Sequence, residues 1–327
     1  MSEPFRAIFS LIHLAGFAGL AALWFSPRWQ AVFERRCLGA ATASDLAFVR
    51  VVVCVTLAIY TAADALPSYA LLDTSFFSPR GYMAYLGQAT LDWFFSSAAR
   101  LWAVVLSVEA LLVLGALGVW TRVTLPLAAV VYLLFAGLLR APGKLFHEGY
   151  LAWYVLIVLA FLPAGDAASV DAWRRRRRAA ADPAPPALPA PAYAWMVWAC
   201  QAAAVVPYLQ LAFSKLWTGG LFWFDGRSLR NYLLTDDLNL TAWQIDLALR
   251  WYQAPTLLFT LTGLFGLLVE TLYPLVLVVP RLRFVLPLSI MLLHLGVWCT
   301  QDALFVDAVL LPAIFFVPSR WPWRARS

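Results

Sequence analysis

The chain has 327 residues, of which 63% are hydrophobic and 13% are charged, and its mean hydropathy is +0.76. Soluble globular domains carry about 45 to 50% apolar and about 25% charged residues, so the composition excludes an ordinary soluble domain. The net charge of +6 comes from basic residues that lie mostly in short segments between apolar runs. That placement is typical of membrane-topology determinants and does not indicate nucleic-acid binding.

Nine apolar runs, bounded by charged residues and prolines, are candidate membrane spans. They cover residues 7–25, 45–66, 100–120, 123–139, 149–163, 193–217, 255–279, 284–300 and 303–317. The sequence therefore predicts an all-α, polytopic helical bundle of eight to nine spans. We treat residues 1–327 as a single transmembrane domain.

The basic residues predict the orientation of the spans. Alternating the spans from one side to the other brings the strongly basic segments to one face, which the positive-inside rule makes cytoplasmic. The N-terminus is then expected outside and the C-terminus in the cytoplasm of a multi-pass plasma-membrane protein. The arginines concerned are Arg28, Arg35, Arg36, Arg122, Arg174 to Arg178, Arg281, Arg283, Arg320, Arg324 and Arg326.

Three segments between the spans are too long to be simple turns. Residues 67–99 and 218–254 are aromatic-rich and are predicted to lie outside, at the outer membrane interface. Residues 165–192 form a predicted cytoplasmic linker, in which five arginines precede the tract DPAPPALPAPA. The proline tract is expected to be extended, and the arginines are expected to contact anionic membrane lipids.

Lys215 is the first candidate functional residue, because a charged side chain in a span costs roughly 2.5 to 3.5 kcal/mol on insertion scales. Gln201 and Tyr208 precede it at intervals of seven, so the three residues share one face of a helix. A simple alternative is a lysine whose ammonium reaches the membrane interface. His147 and His294 are expected at the same external depth, although each alone is more typical of a hydrogen-bonded packing residue.

Other charged residues in the spans have structural interpretations. Arg50 and Asp64 are expected to pair with acids or carbonyl groups in the bundle, whereas Glu109 and Glu270 are either neutral or paired with Arg50. The scattered histidines and the four cysteines lack metal-ligand spacing, so no metal site is predicted. Nucleotide-binding loops and hydrolase motifs are also absent from the sequence.

Several short motifs resemble the horizontally transferred transmembrane domain family, which includes the membrane part of vitamin K-dependent gamma-glutamyl carboxylase. They occur in family order over most of the chain. The motifs are DLAFVR at 45–50, HEGYL with His147, SVD at 169–171, YLQLAFSKL leading into WFDG at 208–226, and His294 followed by QDALFVDAVLLPAIFF.

The resemblance implies that Lys215 is the base that deprotonates a reduced vitamin K or related quinol in an external-side pocket. His147 and His294 match two further catalytic residues, and the quinol is expected to contact Tyr208, Trp223, Asp225 and Trp298. With oxygen and carbon dioxide as co-substrates, the quinol chemistry drives carboxylation of an acceptor such as a secreted polypeptide. The base must be an uncharged amine, and burial favours that form. Where the family has a second lysine beside the base, this chain has Ser214.

Two other functions remain open at this stage. The chain is alternatively a non-catalytic membrane partner for the export or maturation of a secreted polypeptide, with the two external segments as its binding surface. It is alternatively a quinone-linked membrane oxidoreductase, which needs a donor subunit or a further cofactor. The carboxylase-like, lyase-type enzyme is the leading hypothesis.

Overall fold

The structure is a computed structural model, and it describes residues 14–15, 18–19, 22, 25–143, 148–179, 190–220, 225–235 and 241–320. These residues are helical throughout, with connecting turns and no β-strand. The α-helices are α1 (Pro27–Phe33), α2 (Ala43–Ala63), α3 (Gln88–Phe95), α4 (Ala98–Leu117), α5 (Thr121–Leu139), α6 (Tyr150–Ala160), α7 (Val170–Ala179), α8 (Ala190–Gly219), α9 (Arg227–Thr235), α10 (Ala242–Tyr252), α11 (Thr256–Leu272), α12 (Leu282–Gln301) and α13 (Val306–Leu310).

Within the described residues, six helical segments are long and apolar enough to cross a bilayer. They are Ala43–Leu71, Ala98–Leu117, Thr121–Leu139, Pro191–Trp217, Thr256–Leu277 and Leu282–Gln301. The prediction of an all-helical, multi-pass membrane protein is therefore confirmed at this level. Most of the predicted first span, 7–25, lies outside the described residues.

Two of the predicted spans form shorter apolar helices. The run 149–163 forms only α6, which at 1.5 Å per residue is about 16 Å long, roughly half of the hydrocarbon thickness. The run 303–317 is split between α13 and the 3₁₀ turn Leu311–Phe315, where Pro312 cannot donate an α-helical hydrogen bond.

The chain forms two compact units. One unit consists of Ala41–Ala204, Ile290–Trp298 and Ala303–Ser327, and in it α2 packs on α4, α4 on α5, and α6 on both α5 and α2. Its interior is apolar because each of these helices buries one face. The fully buried side chains include Leu46, Val53, Leu57, Val108, Leu112, Phe135, Val155 and Leu159.

The other unit consists of Met1–Ala40, Val205–Ser289 and Cys299–Asp302. In it α9 packs against both α10 and α11, and Phe259 of α11 is fully buried. The outward side of α11 is apolar and exposed, as expected for a helix that faces lipid. The exposed large apolar residues of α11 are Leu257, Leu258, Leu261, Leu264, Phe265, Leu268 and Leu272.

The predicted external segment 67–99 is folded rather than extended. It consists of short 3₁₀ turns and α3, and the rings of Phe77 and Phe95 stack with centroids 3.7 Å apart. Met83 and Leu91 are also buried in it. In the predicted linker 165–192, the five arginines lie in α7, so the first half of this segment is largely helical. Residues 180–189 fall outside the described residues.

Candidate functional site

The most distinctive polar contact of the spans is an ion pair between α8 and α11. The ammonium of Lys215 donates to both carboxylate oxygens of Glu270, with Nζ–Oε distances of 2.7 and 2.6 Å. The side chain of Glu270 is 6% exposed and that of Lys215 is 32% exposed. The carboxylate is therefore enclosed by protein, while the amine remains accessible from one side.

Lys215 lies on the polar face of α8 that the sequence pattern predicts. Gln201, Tyr208 and Lys215 all lie on α8, as predicted. Gln201 is buried and donates through Nε2 to the carbonyl of Ile314 at 3.0 Å. The ring of Tyr208 packs edge-on against Tyr273, with centroids 5.1 Å apart. Tyr208 and Lys215 are thus both directed toward α11 and the 3₁₀ turn that follows it.

The ion pair lies deep along the apolar segment Thr256–Leu277. Glu270 follows Thr256 by 14 residues, a rise of about 21 Å along the helix axis. The first turns of α11 are covered by α9 and α10, since Trp251 contacts Phe259 with ring centroids 6.4 Å apart. Glu270 therefore lies well inside this apolar segment. An ionised side chain at such a position needs a partner.

The sequence missed this pairing, although it singled out both residues. Glu270 was a candidate partner for Arg50, but Arg50 makes other contacts. Its guanidinium donates to the carbonyl oxygens of Ala164, Ala168 at 2.6 Å and Ala116 at 3.3 Å. Arg50 is fully buried, so these carbonyl groups take the place of an acidic partner.

His294 lies on α12 and is half-buried. Its Nδ1 is 2.9 Å from the carbonyl oxygen of Ile290, and its ring packs edge-on against Phe305 at 5.4 Å. A carbonyl oxygen only accepts hydrogen bonds, so this contact places a hydrogen on Nδ1 of His294.

The remaining predicted site residues have varied positions. Asp225 caps α9, because its Oδ1 accepts from the backbone N–H of Arg227 at 2.8 Å, so this carboxylate has a structural role. Trp298 is half-buried on α12. His147 and Trp223 lie outside the described residues.

A second buried polar group surrounds the beginning of α6. Asp307 is 1% exposed and accepts from the backbone N–H of Leu151 at 3.2 Å. Arg140 donates to the carbonyl oxygen of Glu148 at 2.8 Å, and its guanidinium lies 4.0 Å from the ring centroid of Tyr150. These contacts hold the segment that leads into α6 against the end of α5.

Gly149, directly before α6, allows an unusually close approach. Its φ is +78°, and a Cβ atom there would lie 1.9 Å from the hydroxyl oxygen of Tyr132. Tyr132 is fully buried, and its hydroxyl has no hydrogen-bond partner among the residues that the structure describes. Only glycine fits at position 149 while Tyr132 carries its hydroxyl.

Over the described ranges, no group of three His, Cys, Asp or Glu side chains is placed to hold a metal ion. Comparison of the chain with protein-family models, with curated proteins and with solved structures found no match.

Proposed function

We propose that this protein is a membrane enzyme in which Lys215 and Glu270 accept a proton from a reduced quinone, such as reduced vitamin K, or a related apolar phenol. The observation that carries the proposal is the two-oxygen contact between an accessible amine and an enclosed carboxylate within apolar helices. Ionisable residues in membrane spans commonly mark proton or substrate pathways.

The pair is suited to proton transfer because each partner can change its protonation state. In a medium of low dielectric constant, separated charges are costly, so the neutral pair of amine and carboxylic acid becomes accessible. Arg50 offers no such chemistry, since a guanidinium is not deprotonated in proteins. A lysine bound to a carboxylate is therefore a better candidate base than any arginine of the spans.

The proton transfer needs only the quinol, Lys215 and Glu270. Lys215 first passes one proton to Glu270, which leaves an amine with a free electron pair. The amine then takes the proton of the quinol hydroxyl, and the quinol leaves as its monoanion. The net change is one proton moved from the quinol to the Glu270 carboxylate, with Lys215 as the relay.

The surroundings of the pair fit a lipid-soluble substrate. Lys215 retains about one third of its side-chain exposure, and the exposed side of α11 is apolar from Leu257 to Leu272. A substrate dissolved in the bilayer reaches such a surface directly, whereas a charged, water-soluble one would have to be desolvated. This favours a prenylated quinol over a polar metabolite.

The later chemistry follows the carboxylase resemblance. The quinol monoanion would react with oxygen, and the strong base so formed would activate an acceptor for reaction with carbon dioxide. The same resemblance suggests His147 and His294 for polar contacts with the quinol or its intermediates, and Tyr208, Trp223, Asp225 and Trp298 as further quinol-contacting residues. The acceptor under this proposal is a secreted polypeptide.

We further propose a plasma-membrane topology in which the arginine-rich segments lie in the cytoplasm. One contact supports it: the backbone N–H of Asp171, in α7, donates to the carbonyl of Gly118 at 3.0 Å, in the turn between α4 and α5. The arginines of α7 and Arg122 of α5 therefore lie at the same end of these helices. The positive-inside rule makes that end cytoplasmic.

The test is quinol turnover by the purified full chain in lipid nanodiscs. Reduced phylloquinone, menaquinone and ubiquinone are supplied in turn, and oxygen uptake and quinone or epoxide formation are measured. We expect wild type to consume at least one quinol in an oxygen-dependent reaction, and Lys215→Ala to lower its rate at least 100-fold, as expected when an acid-base group is lost.

Ser214→Ala is the matched control, since it alters the exposed neighbour of Lys215 and should leave the rate unchanged. Glu270→Gln should also slow turnover, because the proton then has no carboxylate to reach. Equal rates for wild type and Lys215→Ala would refute the base role. Absence of any oxygen-dependent turnover by wild type would refute the enzyme.

A further inference from the structure

Helix α7 presents a strongly basic surface. Five consecutive arginines, Arg174 to Arg178, are all exposed. At 100° per residue, Arg177, Arg174 and Arg178 lie about 40°, 100° and 140° around the helix from Trp173, which is 47% exposed, so the four side chains share one arc of about 140°. The opposite side contains Ala172, which is buried. The outward face of α7 therefore combines one tryptophan with three arginines.

The helix is fixed to the ends of two apolar helices. The carboxylate of Asp171 accepts from the backbone N–H groups of Trp120 and Thr121, at 2.9 and 2.8 Å, where α5 begins. Ser169 lies against the end of α4, since a Cβ atom at Gly118 would come within 2.3 Å of the Ser169 Cβ atom. The first turn of α7 is thus held at the level where the apolar segments end.

One arginine of the run has a structural partner. Arg175 donates to the carbonyl of Gly165 at 2.7 Å and lies 3.3 Å from Asp166. Arg177 lies over the ring of Trp173, 4.1 Å from its centroid. Within the part of the chain that the structure describes, no acidic side chain pairs with Arg174, Arg177 or Arg178. These three guanidinium groups are available to an external anion.

We infer that the outward face of α7, formed by Trp173, Arg174, Arg177 and Arg178, is a binding site for the phosphate headgroups of anionic phospholipids. The apolar core of a bilayer is about 30 Å thick, so the ends of α4 and α5 lie close to the headgroup layer. Guanidinium groups donate two hydrogen bonds at once to a phosphate. Tryptophan is enriched at this same membrane level.

The position of the face favours a lipid over other anions. Its attachment to the helix ends keeps it at the membrane surface, where anionic headgroups are concentrated. Each arginine near such a surface raises the binding affinity for anionic lipid about fivefold. A solvated helix would need no tryptophan on its basic face. A positively charged C-terminal turn also complements the helix dipole, but one arginine suffices for that effect.

The experiment measures lipid binding by the full chain purified in a neutral detergent. Native mass spectrometry counts bound phosphatidylglycerol and phosphatidylcholine at 0.1 M salt. We expect wild type to prefer phosphatidylglycerol, and the triple variant R174Q/R177Q/R178Q to lose about 100-fold in affinity for it. Glutamine is a good helix former, so α7 should remain folded, which an unchanged melting temperature will verify.

The control is R80Q/R227Q/R250Q, which removes three exposed arginines from other segments. It should change phosphatidylglycerol affinity less than threefold. Equal losses in the two triple variants would overturn the site, because they would indicate general charge attraction. Inorganic phosphate that displaces the lipid at equal concentration would also overturn it, and would assign the arginines to a free anion. Retained affinity in R174Q/R177Q/R178Q refutes the inference directly.

Discussion

Arg50 and Lys215 are both cations within apolar helices, and the protein treats them differently. Arg50 is fully buried and donates to carbonyl oxygens at three points in the chain, and it makes no ion pair with an acid among the residues that the structure describes. Lys215 remains partly exposed and contacts the carboxylate of Glu270 through both oxygens. The first arrangement holds backbone segments together, whereas the second joins the side chains of two helices.

Loss of the Arg50 contacts should have the largest effect on stability. Arg50→Leu removes the donor from the buried carbonyl of Ala164 and from the partly buried contacts to Ala116 and Ala168, at about 1 to 3 kcal/mol for each acceptor that stays buried. We expect a loss of about 3 to 6 kcal/mol in the free energy of unfolding, and little folded protein. The measurement is the yield and melting temperature of detergent-purified protein, with exposed Arg122→Gln as the control.

Arg50→Lys sharpens the same comparison. Lysine keeps the charge, but its compact ammonium cannot spread its donors over carbonyl groups that a planar guanidinium reaches. We expect most of the destabilisation to remain. A lysine variant as stable as wild type would mean that position 50 requires only a positive charge, and not the several N–H donors of a guanidinium group.

The Lys215 pair should show a smaller effect that is reversible by a second change. Lys215→Met or Glu270→Gln leaves one partner without its counter-charge. Such a change lowers the free energy of unfolding by about 3 to 5 kcal/mol when the pair is fully buried. The loss should be smaller here, because Lys215 is partly exposed. The double variant should be more stable than the sum of the single losses predicts. A double-mutant cycle on melting temperatures measures this coupling. Strictly additive losses would contradict the ion pair.

Replacement of Asp171 should have the smallest effect on the free energy of unfolding, and this effect should depend on pH. Partial burial alone would raise the pKa of its carboxyl group, but hydrogen bonds from Thr121 and Trp120 outweigh it and hold the pKa below the ordinary value. A lowered pKa stabilises the folded state above about pH 4, and this stabilisation is lost as the pH falls through the folded-state pKa.

Asp171→Asn should therefore cost about 1 kcal/mol at pH 7. The difference between wild type and variant should shrink as the pH is lowered from 5 to 3. Thermal unfolding of both proteins across this range is the measurement. A difference that stays constant with pH would mean that the charged form of Asp171 contributes nothing to folding.

The sequence predicts the helices far better than it predicts their contacts. Apolar runs locate most of the long helices because a bilayer demands about 20 apolar residues per crossing, and that demand is local. The length of α6 was overestimated, because hydropathy does not detect where the backbone leaves the helix at Phe161. Expected carbonyl partners for Arg50 are confirmed, but which carbonyls they are is a tertiary property.

The candidate site was predicted in part for the same reason. A charge inside an apolar run is visible in the sequence, and so Lys215 and Glu270 were each singled out. Their pairing joins positions 55 residues apart and depends on the rotation of two helices, which no local pattern records. The proximity of Gly149 to Tyr132 had no sequence signal at all.

That last contact constrains how the protein can change over generations. Tyr132 must lose its hydroxyl before position 149 can gain a methyl group, because the two would occupy the same volume. In the reverse order, the intermediate variant carries a side chain at position 149 together with the Tyr132 hydroxyl, and the two groups clash in the core. The two positions are therefore coupled: loss of the Tyr132 hydroxyl removes the most severe clash, but the φ of +78° and the Tyr60 ring, 3.1 Å from the added Cβ atom, still oppose a side chain at position 149.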